Sequence, residues 1–201
     1  MVSIKVNDLE FIKRAKNGDK YAFDELVKLY AKKLYNFAIK LSGNLEMAKD
    51  ITQDTFVKAY NSIKKIEDEN SFDAWIKRIL INTWKNYVRY EKRRKFFSHF
   101  SIFESKTEGD RKEFEIQDNN PSPLDNLQKQ LENEAAQKAL NKLNELNRTI
   151  IILRDIEELS YEEIVKILKI PMGTVKSRIV RARQALKQEL KKIFGENKYA
   201  M

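Results

Sequence analysis

The sequence predicts an all-α protein: two small helical domains joined by a flexible linker, the second ending in a helix-turn-helix. Three observations carry this. Only five Gly and three Pro occur in 201 residues, against usual shares of about 7% and 5%, so turn-formers are too few for many short strands. Apolar residues recur at helical spacing over most of the chain. That spacing lapses once, where Pro121-Ser122-Pro123 stands in an acidic stretch, which sets the domains at 1–95 and 125–201 with a linker over 96–124.

Composition narrows the function before any motif is read. Lys and Arg total 39 against 30 Asp and Glu, a formal charge of +9, so an anionic partner is expected. Cysteine is absent, which excludes disulfides, Cys-ligated zinc and thiolate catalysis. His99 is the only histidine, which removes multi-His metal sites, and no cofactor is expected. The N-terminus carries charges where a signal peptide needs an apolar core. The longest apolar run, Ile150-Ile151-Ile152-Leu153, is far short of the roughly 20 residues that cross a bilayer. A soluble, cytoplasmic protein with no membrane insertion is the expectation.

In the first domain, breaks at Asn17-Gly18, at Ser42-Gly43-Asn44 and around 67–70 imply four helices. Asn17-Gly18-Asp19 ends one helix and caps the next, and Gly43-Asn44 repeats the device. The helix from Asn44 to Ile63 buries Ala48, Ile51, Thr55, Phe56, Ala59 and Ile63. Another of its faces aligns Glu46, Asp50, Gln53, Asp54 and Val57. This acidic ribbon repels phosphate and suits a basic protein surface, although such a face is most often simply solvated.

The next helix, 71–95, contains Trp75, Trp84, Tyr87 and Tyr90, with eight bases and one acid between 76 and 95. Arg78, Asn82, Asn86, Arg89 and Arg93 follow at i+3 and i+4. Cations for phosphate, amide edges for a splayed base and rings for stacking are what single-stranded nucleic acid requires. The two tryptophans are read as core, and Arg78, Asn82 and Asn86 as functional.

The second domain reads as helices over 125–141, 144–157, 160–168 and 171–194. Ser160-Tyr161-Glu162-Glu163 fits the capping box S-x-x-E, and Tyr161, Ile164, Val165 and Leu168 share one face. Lys169-Ile170 makes a tight break, and Pro171 suits the first turn of the next helix. There Val175, Ile179, Ala182, Leu186, Leu190 and Ile193 trace an apolar stripe. The opposite face carries Gly173, Thr174, Ser177, Val180 and Arg181, flanked by Lys176, Arg178 and Arg183. Eight bases and one acid between 169 and 192 match duplex phosphate, and the N-terminal side chains of such a helix reach base edges in the major groove.

Three segments, AKDITQDTFVKAYNSI, FDAWIKRILINTWKNYVRYEKRRK and LSYEEIVKILKIPMGTVKSRIVRARQALK, together resemble a bacterial RNA polymerase sigma factor of the extracytoplasmic-function group of the sigma-70 family. The resemblance implies that DITQDTF grips the coiled coil of the largest-subunit clamp of core RNA polymerase, with Asp50, Gln53, Asp54 and Phe56 at or behind the contact. It implies that the Glu67–Phe72 loop, with Asn70, Ser71 and Phe72, and Asn82 receive a base flipped from the minus-10 element. Arg78, Lys85, Asn86 and Arg89 then hold the strand. It implies that Thr174, Lys176, Ser177, Arg178, Val180 and Arg181 meet the minus-35 element of promoter DNA. An anti-sigma factor is a common partner in this family. One departure stands at Val180, where the family often has a bulky or aromatic residue, so a minus-35 preference does not carry over.

Two rivals were weighed. An autonomous helix-turn-helix regulator would read a palindrome as a dimer; the DITQDTF helix beside the tryptophan-bearing basic helix favours the sigma reading. A nuclease lacks support, since no P-loop, no H-E-x-x-H and no evident carboxylate cluster for two-metal chemistry is present.

Overall fold

The computed structural model describes residues 6–100 and 134–195, with side chains described over 8–94 and 134–195. Helices α1 (Val6–Lys16), α2 (Lys20–Ser42), α3 (Leu45–Ser62) and α4 (Phe72–Phe100) form the first unit. Helices α5 (134–142), α6 (Glu145–Ile151), α7 (Tyr161–Leu168) and α8 (Met172–Phe194) form the second. No strand occurs among the described residues.

The boundaries follow the turn chemistry. Gly18 takes φ +95°, and the Asp19 carboxylate accepts from the Ala22 N–H at 3.1 Å. Gly43 takes φ +65° and donates to the Ile39 carbonyl at 2.8 Å, and Asn44 then accepts from the Met47 N–H. Gly43 is fixed for a second reason, because a Cβ there would lie 2.6 Å from the Asn141 amide nitrogen. Helix α5 therefore rests on the turn between α2 and α3.

Helix α4 runs five residues beyond the expected end at Lys95, to Phe100. Apolar periodicity marks where a helix stops being buried, not where its backbone stops being helical. With no Gly or Pro between 72 and 100, nothing ends this one sooner.

The first unit packs α2, α3 and α4 around Phe72, which is 0% exposed and meets the Tyr30 ring edge-on at 5.1 Å and the Trp75 ring at 5.5 Å. Trp75 and Trp84 are both core, as expected. Lys77 is also core, only 1% exposed, and its ammonium lies 3.0 Å from Asp73, which also accepts from Lys33. Burial pushes the Asp73 carboxyl up, but the two lysines outweigh it and hold it below the ordinary carboxylate range.

In the second unit the helix expected over 144–157 is α-helical only to Ile151. It widens into a π turn over Ile152–Ile156, closed by the Glu157 N–H on the Ile152 carbonyl at 2.8 Å. Thr149 to Leu153 are all buried, so this segment is enclosed on every side. Pro171 stands one residue before α8, as its N-cap. The α8 stripe is buried at Val175, Ile179 and Ala182, half-buried at Leu186 and Leu190, and exposed by Ile193.

The two units pack on each other, and one apolar core is continuous through both. Arg148 of α6 spans the junction. It donates to the carbonyls of Leu140 (2.8 Å), Asn141 (2.6 Å) and, across the junction, Leu41 (3.0 Å), and its guanidinium lies 5.6 Å from the Trp84 ring centroid. Glu157 pairs with Lys40 at 2.7 Å and Glu145 with Lys92 at 2.5 Å.

Candidate nucleic-acid and polymerase interfaces

The helix-turn-helix is built from local rules. Both halves of the capping box form: the Glu163 N–H donates to the Ser160 hydroxyl at 3.2 Å, and the Ser160 N–H donates to the Glu163 carboxylate at 2.8 Å. That backbone N–H is the main reason the Glu163 carboxyl lies below its ordinary value; burial opposes it and the Ser160 hydroxyl assists. Ile164 and Ile167 anchor α7 in the core. Lys169 takes the left-handed conformation at φ +52°, its N–H bonded to Val165, and the chain turns through Ile170 into α8. Arg183 clamps the α8 direction through two bonds to Asp155, at 3.1 and 2.5 Å.

The outward face of α8 is the one expected. Lys176, Ser177, Val180 and Arg181 are exposed, Val180 to 57%, while Thr174 and Arg178 are half-buried. Arg181 is braced along this face by its own helix, donating to the Ser177 carbonyl at 3.3 Å and hydroxyl at 3.1 Å. An arginine so held presents a fixed cation beside an apolar Val180, the pairing that suits a guanine edge next to a thymine methyl.

On α4, Asn82, Asn86 and Arg89 are exposed and Arg78 and Lys85 half-buried. Burial, with Arg89 and Arg178 nearby, pushes the Lys85 ammonium below its ordinary value. The preceding loop is organised by Asp68, whose carboxylate accepts from the Asn70 N–H at 3.0 Å, the Asn70 amide at 3.1 Å and the Ser71 hydroxyl at 2.6 Å. The Ser71 hydroxyl leads in holding the Asp68 carboxyl low. Lys16 of α1 pins the same loop through Glu69 at 2.7 Å.

Phe72 is a correction. The resemblance placed it with Asn70 and Ser71 as a base-receiving residue, but its ring is wholly buried between Tyr30 and Trp75. It anchors the start of α4 and offers no surface to a base. An apolar ring that opens a helix of four buried turns has more to gain in the core than at the rim.

On α3, Glu46, Asp50, Gln53, Asp54 and Val57 are all exposed and Phe56 is half-buried behind them, packed on the core. The acidic ribbon is real and continuous. Sequence reasoning missed Asp68, Lys77 and Arg148. The first was visible as an Asx-type cap three residues before Ser71; the other two gave no signal, because a buried cation is identified only by partners distant in the chain.

The family described as Sigma-70 region 2 matches residues 26–94, and that described as Sigma-70, region 4 matches residues 133–186. Among curated proteins, the ECF RNA polymerase sigma factor SigW of Bacillus subtilis is 36% identical over 181 residues, 90% of this chain and 95% of the relative. The chain belongs to the ECF RNA polymerase sigma factors. The ECF RNA polymerase sigma-E factor of Escherichia coli is 32% identical to it over 201 residues, covering 96% of this chain and 99% of that one. Among solved structures, the sigma factor RpoE of Bartonella quintana, in complex with the anti-sigma factor NepR, matches with TM-score 0.58 and 30% identity over 84% of this chain and 96% of that one. CnrH, solved with the cytosolic domain of CnrY, shares the fold at TM-score 0.63 and 24% identity, over 92% and 98% of the two chains. As a sigma factor, the protein binds core RNA polymerase and directs promoter recognition and transcription initiation; it is not an enzyme.

Proposed function

We propose a division of labour among the three surfaces of this sigma factor. The α3 ribbon of Asp50, Gln53 and Asp54, backed by Phe56, docks on the basic clamp coiled coil of core polymerase. The Asp68-organised loop, through Asn70 and Ser71, receives a base flipped from the minus-10 element with Asn82. Arg78, Lys85, Asn86 and Arg89 hold the opened strand. Thr174, Lys176, Ser177, Arg178, Val180 and Arg181 read the minus-35 element as duplex. The proposed domains are 1–95 and 125–201, joined by 96–124, with the helical backbone of α4 extending to Phe100.

One observation supports this reading above the rest. A single exposed acidic face and two exposed basic faces occur on different helices of one chain, and their order matches that of the two sigma regions. Charge then sorts the partners, since the acidic face repels DNA and attracts a basic protein helix while the basic faces do the reverse. Extruding a base costs a few kcal/mol, which binding to core polymerase offsets. The Bartonella relative is seen with an anti-sigma factor, and we propose that a protein of that class restrains this one too. Among the described residues no helix is long and apolar enough to cross a membrane, and the proposed site of action is the cytoplasm.

The test is in vitro transcription from genomic fragments with core polymerase, the chain added or omitted. Start sites that appear only with the chain, sharing upstream elements at minus-10 and minus-35, are the expected result. Equal transcripts in both arms, together with flat anisotropy when labelled chain is titrated with core, would refute it.

A further inference from the structure

Two cations assigned above to different promoter elements stand together in this structure. Lys85 of α4 and Arg178 of α8 line one cavity of about 130 Å³ between the units, over a floor of Leu146, Ile150, Leu168 and Ile170. The minus-10 and minus-35 elements are about 25 base pairs apart, or about 85 Å along a duplex at 3.4 Å per pair. One small cavity cannot serve both, so the arrangement described is not the promoter-reading one. The 33 residues from 101 to 133 reach roughly 115 Å when extended, so the chain connectivity permits separation.

We infer that the free sigma factor holds itself closed by an intramolecular latch centred on Arg148, and that this latch must release before both promoter elements can be engaged. This rests on the surface assignments proposed above. Arg148 caps carbonyls at the end of α2 and of α5 at once and covers Trp84. Glu157 and Glu145 reach Lys40 and Lys92 on the opposite unit. Glu163 lies within the field of Lys77 and Asp68 within that of Lys166, so charges along the junction are matched almost throughout. The exception is Lys85 against Arg178: no carboxylate pairs with either among the described residues. These like charges oppose closure where the strand-holding and groove-reading surfaces meet. The junction is thus closed by several matched pairs and an apolar seam, and opposed at one point, the composition of an element that releases when a better partner arrives. A closed fraction lowers apparent affinity for core in proportion to the open population, so weakening the latch tightens core binding.

The absence of cysteine makes the test clean. Asp24→Cys and Gln188→Cys, at exposed positions on α2 and α8, carry a donor and an acceptor dye in the full chain. The expected result is high transfer in the free protein, falling when core polymerase and promoter DNA are added. Lys40→Glu is expected to shift closure towards the open form by about threefold and to tighten core binding by a similar factor. Lys40→Glu with Glu157→Lys is expected to restore both, a rescue that a merely damaged fold cannot give. Arg148→Gln is expected to open the chain further. Low transfer in the free wild-type chain, or transfer and core affinity unmoved by Lys40→Glu, overturns the latch. Closure in the free protein without any binding to core instead leaves the latch standing and sinks the surface assignments.

Discussion

Replacing Asp73 by Asn is expected to destabilise the first unit more than any change on the basic faces. Lys77 is buried with Asp73 as its close carboxylate, 3.0 Å away, and the same carboxylate also holds Lys33. Asn keeps the shape and removes the charge, leaving an ammonium in the core without a counter-ion, which costs about 3 kcal/mol or more. With a urea dependence of about 2 kcal/mol per molar, the midpoint falls by about 1.5 M. Lys77→Met removes the charge instead and fills the same channel, so its expected cost is about 1 kcal/mol or less. The double variant then recovers most of the loss, a coupling of about 2 kcal/mol. Trp75 and Trp84, the only two tryptophans, both lie in this unit, so urea titration followed by tryptophan fluorescence reads it alone. Because the Asp73 carboxyl is held low, its contribution is complete above the unfolded value of about 3.9 and lost as pH falls through the lower folded one. A midpoint shift for Asp73→Asn no larger than for Lys77→Met would refute the argument, since the buried charge would then not be the issue.

Three further outcomes are expected. Asp54→Arg reverses the exposed α3 ribbon and abolishes co-elution with core polymerase while circular dichroism stays native; normal co-elution removes that face from the dock. Arg181→Ala lowers minus-35-dependent transcription by about 1 to 3 kcal/mol of discrimination if its contact to a base is bidentate, and an unchanged promoter preference in a mutated-element series removes it from the reading set. Ser160→Ala, which deletes half of the capping box, costs the second unit about 1 kcal/mol in thermal melts. The Glu163 half, held low mainly by the Ser160 N–H, weakens in both proteins only as pH drops from about 4.3 through the depressed folded value.

The parts of the fold governed by local rules were readable in advance. Gly18-Asp19, Gly43-Asn44 and the Ser160–Glu163 box each act within a few residues, and the structure has each in place. The face of α8 bearing Lys176, Ser177, Val180 and Arg181 was readable because a helix converts spacing into direction. Phe72 was not, since a ring at the edge of a loop serves either a base or a core, and only Tyr30 and Trp75, brought from elsewhere, decide it. The end of α4 was missed because hydrophobic spacing reports burial alone. Arg148 was invisible for a related reason: its carbonyl partner at Leu41 lies 107 residues away, and no pattern in a sequence encodes a bond to a main-chain oxygen.

The π turn after α6 sets an angle by counting. Within its five residues, Asp155 faces Arg183 of the helix that would lie in the groove, and the next residue after the turn, Glu157, faces Lys40 of the opposite unit. Deleting one residue here would restore ordinary winding and rotate everything downstream by about 100°, turning one of those carboxylates from its lysine or arginine whichever position were lost. The aim of the recognition helix is therefore inherited from the length of a segment, and insertions or deletions at 152–156 would redirect it while every side chain that touches nucleic acid stayed the same.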